Sequence, residues 1–188
     1  MDEEIANKSK FNFFDFIKKN KTKIFLILSL LIAFILIMIF INEYQSKKNI
    51  DISEKYNKAK ILIENKNSDE ALNILEKIIY EKNSFYSPSA LNLIIDNNLI
   101  KDKTKVLSYY DQIISNSKLD FETKNLFIFK KIIYIGDDIK ENDLISNLKP
   151  ILQSNSVWRN TVSDYIKKYY FSKGEFNKAK EFKKKKNK

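Results

Sequence analysis

The longest apolar stretch of the chain covers residues 24–41, which read IFLILSLLIAFILIMIFI. It contains no charged residue, and Ser29 carries its only hydroxyl. As an α-helix rising about 1.5 Å per residue, the stretch would extend roughly 27 Å, close to the thickness of a bilayer's hydrocarbon core. The pattern predicts one transmembrane helix over residues 24–41. A buried core helix is disfavoured because the rest of the chain is too rich in Lys and Asn to surround it.

The residues on either side of this stretch predict how it sits in the membrane. A cleaved signal peptide is disfavoured because residues 42–46, NEYQS, contain no small-x-small cleavage site. By the positive-inside rule, residues 1–23 are cytoplasmic and residues 42–188 lie outside, which predicts a single-pass inner-membrane protein with a periplasmic domain. The membrane-flanking basic residues on the cytoplasmic side are Lys18, Lys19, Lys21 and Lys23, whereas the first ones after the stretch are Lys47 and Lys48.

Within residues 1–23, four Phe and Ile17 are interleaved with Asp15 and are followed by Lys18 and Lys19. This composition is typical of a segment at the membrane–water interface, with rings among the headgroups and lysines near lipid phosphates. A docking site for a membrane partner is the alternative, and the sequence does not separate the two.

From residue 53 to residue 182 the hydrophobic pattern is helical and repeats. One series of four small or apolar residues has intervals of 35, 38 and 35 residues. A second series lies 12 positions before the first three members of that series, and a third lies seven positions after them. The series are Ala71, Val106, Leu144 and Ala179; Ala59, Ile94 and Ile132; and Ile78, Ile113 and Ile151. Repetition at this spacing predicts a structural unit that occurs four times along the chain.

Each unit is predicted to contain two helices, called here helix A and helix B. The A helices are expected over residues 53–65, 87–100, 121–135 and 157–172, and the B helices over 68–82, 103–116, 140–153 and 175–185. Pro150 should kink or shorten the third B helix. Residues 42–52 are expected to be a linker, and residues 183–188 a Lys-rich tail.

A period near 35 residues made of two helices is typical of tetratricopeptide-type α-solenoids, in which stacking of the hairpins creates the core. The predicted fold class is therefore all-α, with a TPR-like solenoid of about four hairpins after the membrane helix. In the last unit, Tyr170, Gly174, Phe176 and Ala179 resemble the aromatic and small positions of such a repeat. Trp158 is expected to fill the space between stacked hairpins, although Trp158 with Arg159 could instead be an exposed anchor for a partner.

The order of these features resembles the YfgM-like family of bacterial membrane-anchored TPR-like proteins. The shared features are an aromatic and basic lead-in, one span, four degenerate hairpins, and Trp158-Arg159 opening the fourth. The resemblance implies an inner-membrane protein whose periplasmic repeat domain accompanies the SecYEG translocon and works with periplasmic chaperones.

Composition excludes most familiar catalytic chemistry. The chain has no His and no Cys, so imidazole bases, thiolate nucleophiles and ordinary zinc sites are excluded. It has two Gly, so a glycine-rich phosphate loop is excluded as well. No cofactor and no small-molecule substrate is expected. The net charge of +10 does not indicate nucleic-acid binding, because residues 42–166 are neutral and residues 167–188 carry +8. The tail is either solvated or a tether to anionic lipid.

Two polar clusters could carry chemistry. Ser115 and Lys118 have the Ser-x-x-Lys spacing of a hydrolase dyad, but they fall at a predicted helix end, where polar residues are ordinary. Asp137, Asp138, Glu141 and Asp143 could hold a hard cation, but acidic residues are also favoured at a helix N-terminus. The expected function is therefore a non-enzymatic, membrane-anchored scaffold that binds other proteins. The alternatives are a lipid tether acting through the tail and a Ser/Lys hydrolase.

Overall fold

A computed structural model describes Phe16 and residues 18–182 of the chain. Eight α-helices occupy this part, with a 3₁₀ turn at Gly136–Asp138 and no β-strand among the described residues, so the all-helical prediction is confirmed. The helices are α1 (Lys21–Glu64), α2 (Ser68–Tyr80), α3 (Tyr86–Asp96), α4 (Lys103–Ile114), α5 (Phe121–Ile135), α6 (Glu141–Gln153), α7 (Arg159–Ser172) and α8 (Phe176–Glu181). The predicted Lys-rich tail and most of the predicted interfacial stretch lie outside the described residues.

Helix α1 contains the whole apolar stretch of residues 24–41, and it is long and apolar enough to cross a membrane. The four flanking lysines, Lys18, Lys19, Lys21 and Lys23, are exposed at its beginning. Residues 42–52, which the sequence indicates as a linker, are helical throughout. They contain no Pro and no Gly, so nothing in the backbone interrupts the hydrogen-bond ladder.

The chain divides into two compact units, one up to Ile50 and one from Asp51 onward, called here the C-terminal unit. In the C-terminal unit, residues 53–64 of α1 with α3, α5 and α7 correspond to the A helices. Helices α2, α4, α6 and α8 correspond to the B helices, and each helix from α2 to α8 contacts the next one along the chain. Two apolar clusters form the core, one from Ile52 to Phe127 and one from Phe129 to Ala179.

The recurring apolar positions of the sequence lie in these two clusters or are buried beside them. Every member is at most 2 % exposed: Ala59, Ala71, Ile78, Ile94, Val106, Ile113, Ile132, Leu144, Ile151 and Ala179. Tyr170 is also buried, at 3 % exposure, and Trp158 is half-buried against the second cluster. Gly174 has φ +75° in the turn before α8, a conformation that glycine adopts without steric cost.

Phe176 does not take the packing position that its spacing suggests. Its side chain is 56 % exposed, and its ring lies 5.7 Å from that of Phe171. Phe176 is the first residue of α8. Because side chains on a helix lean toward its N-terminus, this ring covers the preceding turn rather than the surface that buries Ala179.

Pro150 does not end the third B helix, because α6 continues to Gln153, where the sequence places its end. A proline removes the N–H that would bond the carbonyl four residues earlier, here that of Ser146. Both Pro150 and Ser146 are exposed, so water can replace the missing donor.

We expect the buried positions on the B helices to control the stability of the C-terminal unit. Truncating Ile78 to Ala removes a fully buried side chain and should lower the free energy of unfolding by about 2–5 kcal/mol. The exposed neighbour Lys77 is the matched control, and Lys77→Ala should change it by less than about 0.5 kcal/mol. Denaturant unfolding of fragments 51–188 measures both values. Equal midpoints for the two variants would contradict the register described here.

Candidate protein-interaction surface

Polar contacts connect positions that lie about one repeat apart. Asn116 Nδ2 donates to the carbonyl of Lys82 at 3.0 Å, and these residues are 34 positions apart. Lys130 Nζ donates to Asn92 Oδ1 at 2.8 Å across 38 positions, which joins α5 to α3. Lys103 Nζ bonds Asp138 Oδ2 at 2.8 Å across 35 positions. One of these contacts joins two A helices, and the other two join residues at the ends of successive B helices.

Glu122, in the first turn of α5, forms hydrogen bonds with the residues that precede α7. Its carboxylate accepts a hydrogen bond from Ser156 Oγ at 2.7 Å and is 3.3 Å from the backbone N–H of Val157. The indole N–H of Trp158 donates to the Glu122 carbonyl at 3.2 Å. The Trp158 ring packs against the second apolar cluster, and its polar atom is satisfied by the backbone of α5.

Glu141, at the start of α6, joins the third hairpin to the last one. It accepts hydrogen bonds from Tyr170 Oη at 2.9 Å and from Lys178 Nζ at 2.7 Å. The bond from Lys178, followed by the one from Tyr170, lowers the pKa of the Glu141 carboxyl below its usual value. Burial, and next the bond to Glu141, raise the pKa of Tyr170 to about 12.

A group of tyrosines lies around the first two A helices and the helices that follow. The rings of Tyr56 and Tyr86 are 5.6 Å apart, and those of Tyr110 and Tyr134 are 5.8 Å apart. Burial raises the pKa of Tyr56, and the Asp96 carboxylate raises it further. Burial, Tyr134 and Asp96 together raise the pKa of Tyr110 to about 12. The hydroxyls of Tyr56 and Tyr110 therefore stay protonated at neutral pH and are hydrogen-bond donors.

The A helices also present a row of residues that directly follow their recurring buried positions. Ile95 is half-buried on α3, and Ile133 is 47 % exposed on α5. At one end of the row, Lys60 follows Ala59 and is exposed; at the other end we add the exposed Lys168 of α7, which follows the half-buried Lys167. We call these four residues the A-helix row. Its middle is apolar, and both of its ends are basic.

The two clusters with possible catalytic or metal chemistry have ordinary structural surroundings. Ser115 Oγ donates to the carbonyl of Gln112 at 2.9 Å, at the end of α4, and Lys118 is exposed in the following loop. Of the four acidic residues near α6, Asp138 is paired with Lys103 and Glu141 with Lys178. In the described part of the chain, no group of His, Cys, Asp or Glu has the arrangement of a metal site.

Sequence reasoning missed Glu122 and Asn116, which act between repeats. A Glu in the first turn of a helix is common because it favours the helix dipole, so Glu122 carries no special signal alone. The available signal was its distance of 34 residues from Ser156, which is close to the repeat length.

We expect the contact of Glu141 to stabilise the last hairpin at neutral pH and to disappear in acid. Because the folded-state pKa of Glu141 is lowered, its contribution is present above the unfolded value, near 4.5, and is lost as the pH falls through the folded value. Glu141→Gln should therefore lower the melting temperature of the C-terminal unit at pH 7. The difference from the unsubstituted protein should shrink toward pH 3. A difference that grows in acid would contradict this assignment; Asp143→Asn on the same helix is the control.

Comparison of the chain with protein-family models, with curated proteins and with solved structures finds no match.

Proposed function

We propose that this protein is a non-enzymatic, membrane-anchored scaffold whose TPR-like C-terminal unit binds other proteins. The observation that carries the proposal is the set of contacts 34 to 38 residues apart, exemplified by Asn116 with Lys82 and Lys130 with Asn92. Contacts between corresponding parts of successive hairpins are what a solenoid requires, since each repeat touches only its neighbours.

Helix α5 further supports a stacked arrangement. Phe127 belongs to the first apolar cluster, and Phe129 belongs to the second. A helix that is apolar on two faces must be covered on both, which is the situation of an interior repeat. Solenoids commonly serve as binding scaffolds because their elongated surfaces contact a long segment of a partner.

The A-helix row indicates the chemistry of the segment that would bind. Ile95 and Ile133 offer an apolar centre, and Lys60 and Lys168 offer positive charge at both ends. A complementary peptide would place apolar side chains in the middle and acidic residues near its ends. The donor hydroxyls of Tyr56 and Tyr134 could bind its backbone carbonyls.

The resemblance to YfgM-like proteins supports a more specific form of the proposal. In that form, α1 anchors the protein in a bacterial inner membrane, the C-terminal unit is periplasmic, and its partners are the SecYEG translocon and periplasmic chaperones. Four lysines before the apolar stretch support this orientation.

A reporter enzyme that is active only outside the cytoplasm tests the orientation. Fused after Lys188 of the full-length chain, it should be active, because the lysines before the apolar stretch hold the N-terminus inside. Placed ahead of Met1 of the full-length chain instead, it should be inactive, which provides the control. Activity from the second fusion and not from the first would mean the opposite orientation.

Photocrosslinking in intact membranes tests the binding surface. A photoreactive amino acid at position 133 should form adducts with a partner, and one at position 95 should capture the same partner. A probe at the exposed position 147, on B helix α6, is the control and should not capture it. Ile95→Glu should abolish capture at position 133 by introducing charge into the apolar centre. Equal capture from positions 133 and 147 would argue against the A-helix row.

A further inference from the structure

Three loops that lead from a B helix into the next A helix lie side by side at one end of the C-terminal unit. They comprise residues 81–85, 115–120 and 154–158. The first two are joined by the bond from Asn116 Nδ2 to the Lys82 carbonyl at 3.0 Å. The third is bonded to the end of the second through Ser156 Oγ and Glu122, at 2.7 Å.

Each of these loops exposes an apolar side chain where its A helix begins. Phe85 is 66 % exposed, Phe121 is 56 % exposed and Val157 is 73 % exposed. The three residues follow one another at intervals of 36 positions. Because the loops are adjacent, these side chains form one row, called here the apolar edge.

The opposite end of the C-terminal unit has a different composition. Its loops at residues 65–67, 97–102 and 136–140 expose no large apolar side chain. Phe171 and Phe176 are exposed beside the remaining turn, but their rings lie 5.7 Å apart and partly cover each other. An apolar row at corresponding positions of successive loops is therefore particular to one end. Contiguous exposed apolar residues of this kind mark interaction sites.

The chain enters the C-terminal unit at the end that carries the apolar edge. Tyr56, five residues after Asp51, packs against Tyr86, the first residue of α3, with ring centroids 5.6 Å apart. Residues 42–50 alone separate this entry from the apolar stretch. Even fully extended, such a segment reaches only about 30 Å, so the membrane surface is within reach of this end.

The described chain also leaves at this end. The carbonyl of Phe182 accepts a hydrogen bond from Ser163 Oγ at 3.3 Å, and Ser163 lies in the second turn of α7. The six residues that follow are five lysines and one asparagine. On the loops themselves, Lys82 and Lys118 are accompanied by Glu81 and Asp120, so the loops are nearly neutral.

We propose that the apolar edge docks onto the surface of the bilayer that α1 crosses. Phe85, Phe121 and Val157 enter the boundary between headgroups and acyl chains, and the positive charge of the sequence after Phe182 favours anionic lipid. Apolar area supplies the short-range attraction, and charge adds to it on anionic membranes. This docking rests on the membrane anchoring proposed above, and it is separate from the binding of a protein by the A-helix row.

The absence of cysteine from the chain makes a direct test possible. Single cysteines replace Ser84 and Ser117 beside the apolar edge, and each full-length variant is labelled with a fluorophore and reconstituted into phosphatidylcholine–phosphatidylglycerol vesicles. Quenching is measured with a nitroxide carried by the lipid and with iodide in the water. Asn65→Cys and Asp137→Cys report the opposite end, and Ser29→Cys reports the apolar stretch.

Labels at positions 84 and 117 should be quenched by the lipid nitroxide and protected from iodide, whereas labels at 65 and 137 should behave oppositely. Phe85→Ser with Phe121→Ser should weaken docking about tenfold or more, because burial of two rings is lost. The matched control, Phe171→Ser with Phe176→Ser, removes two exposed rings from the other end and should leave docking unchanged. Deleting residues 183–188 should weaken docking on anionic vesicles only.

Four results would overturn the docking, and the last of them would refute the anchor as well. The first is equal access of iodide to both ends while the label at position 29 is quenched by lipid, which leaves the anchor and the scaffold proposal intact. The second is protection of the labels at positions 84 and 117 from iodide without quenching by the lipid nitroxide. If that protection grows with protein density, a second copy of the chain covers the apolar edge. If it appears only in native membranes, another protein covers the edge. The third is docking that survives the double Phe substitution and vanishes without residues 183–188, which assigns it to the basic segment alone. Failure of lipid to quench position 29 would refute the anchor itself, and the docking with it.

Discussion

The apolar side chains of the C-terminal unit are buried between neighbouring helices, and the remaining features of that unit depend on this constraint. Helix α5 shows it most clearly, since Phe127 faces one apolar cluster and Phe129 faces the other. Burial of side chains of this size contributes about 1.5–3 kcal/mol each, which exceeds what an exposed ion pair contributes. Neighbouring helices are therefore held together mainly by shared apolar surfaces.

The polar contacts between repeats have a different role, which is to define how the apolar surfaces are aligned. Asn116 and Glu122 each bond a backbone or hydroxyl group that the adjacent hairpin presents. Buried or half-buried polar groups cost free energy when they are unpaired, so a shifted alignment that breaks these bonds is disfavoured. Exposed pairs such as Lys58 with Glu70 add little, because solvent screens them.

The two ends of the C-terminal unit differ in chemistry, and this difference connects its structure to its proposed placement at a membrane. The end with Phe85 and Phe121 is also where the chain enters this unit after the apolar stretch and where its described part ends. The A-helix row is a separate surface on the same unit. A scaffold docked by one surface and binding a partner through another would hold that partner near the bilayer.

The sequence by itself determined the local features: the apolar stretch, the helices, and the recurring buried positions such as Ala71 and Val106. These follow from periodicity, which depends only on residues close together in the chain. The tertiary structure alone decided that residues 42–52 are helical, that Phe176 is exposed, and that Glu122 bonds Ser156. It also brought Phe85, Phe121 and Val157 into one row. Such contacts depend on how hairpins some 35 residues apart stack, and local pattern carries no information about the exact offset between them.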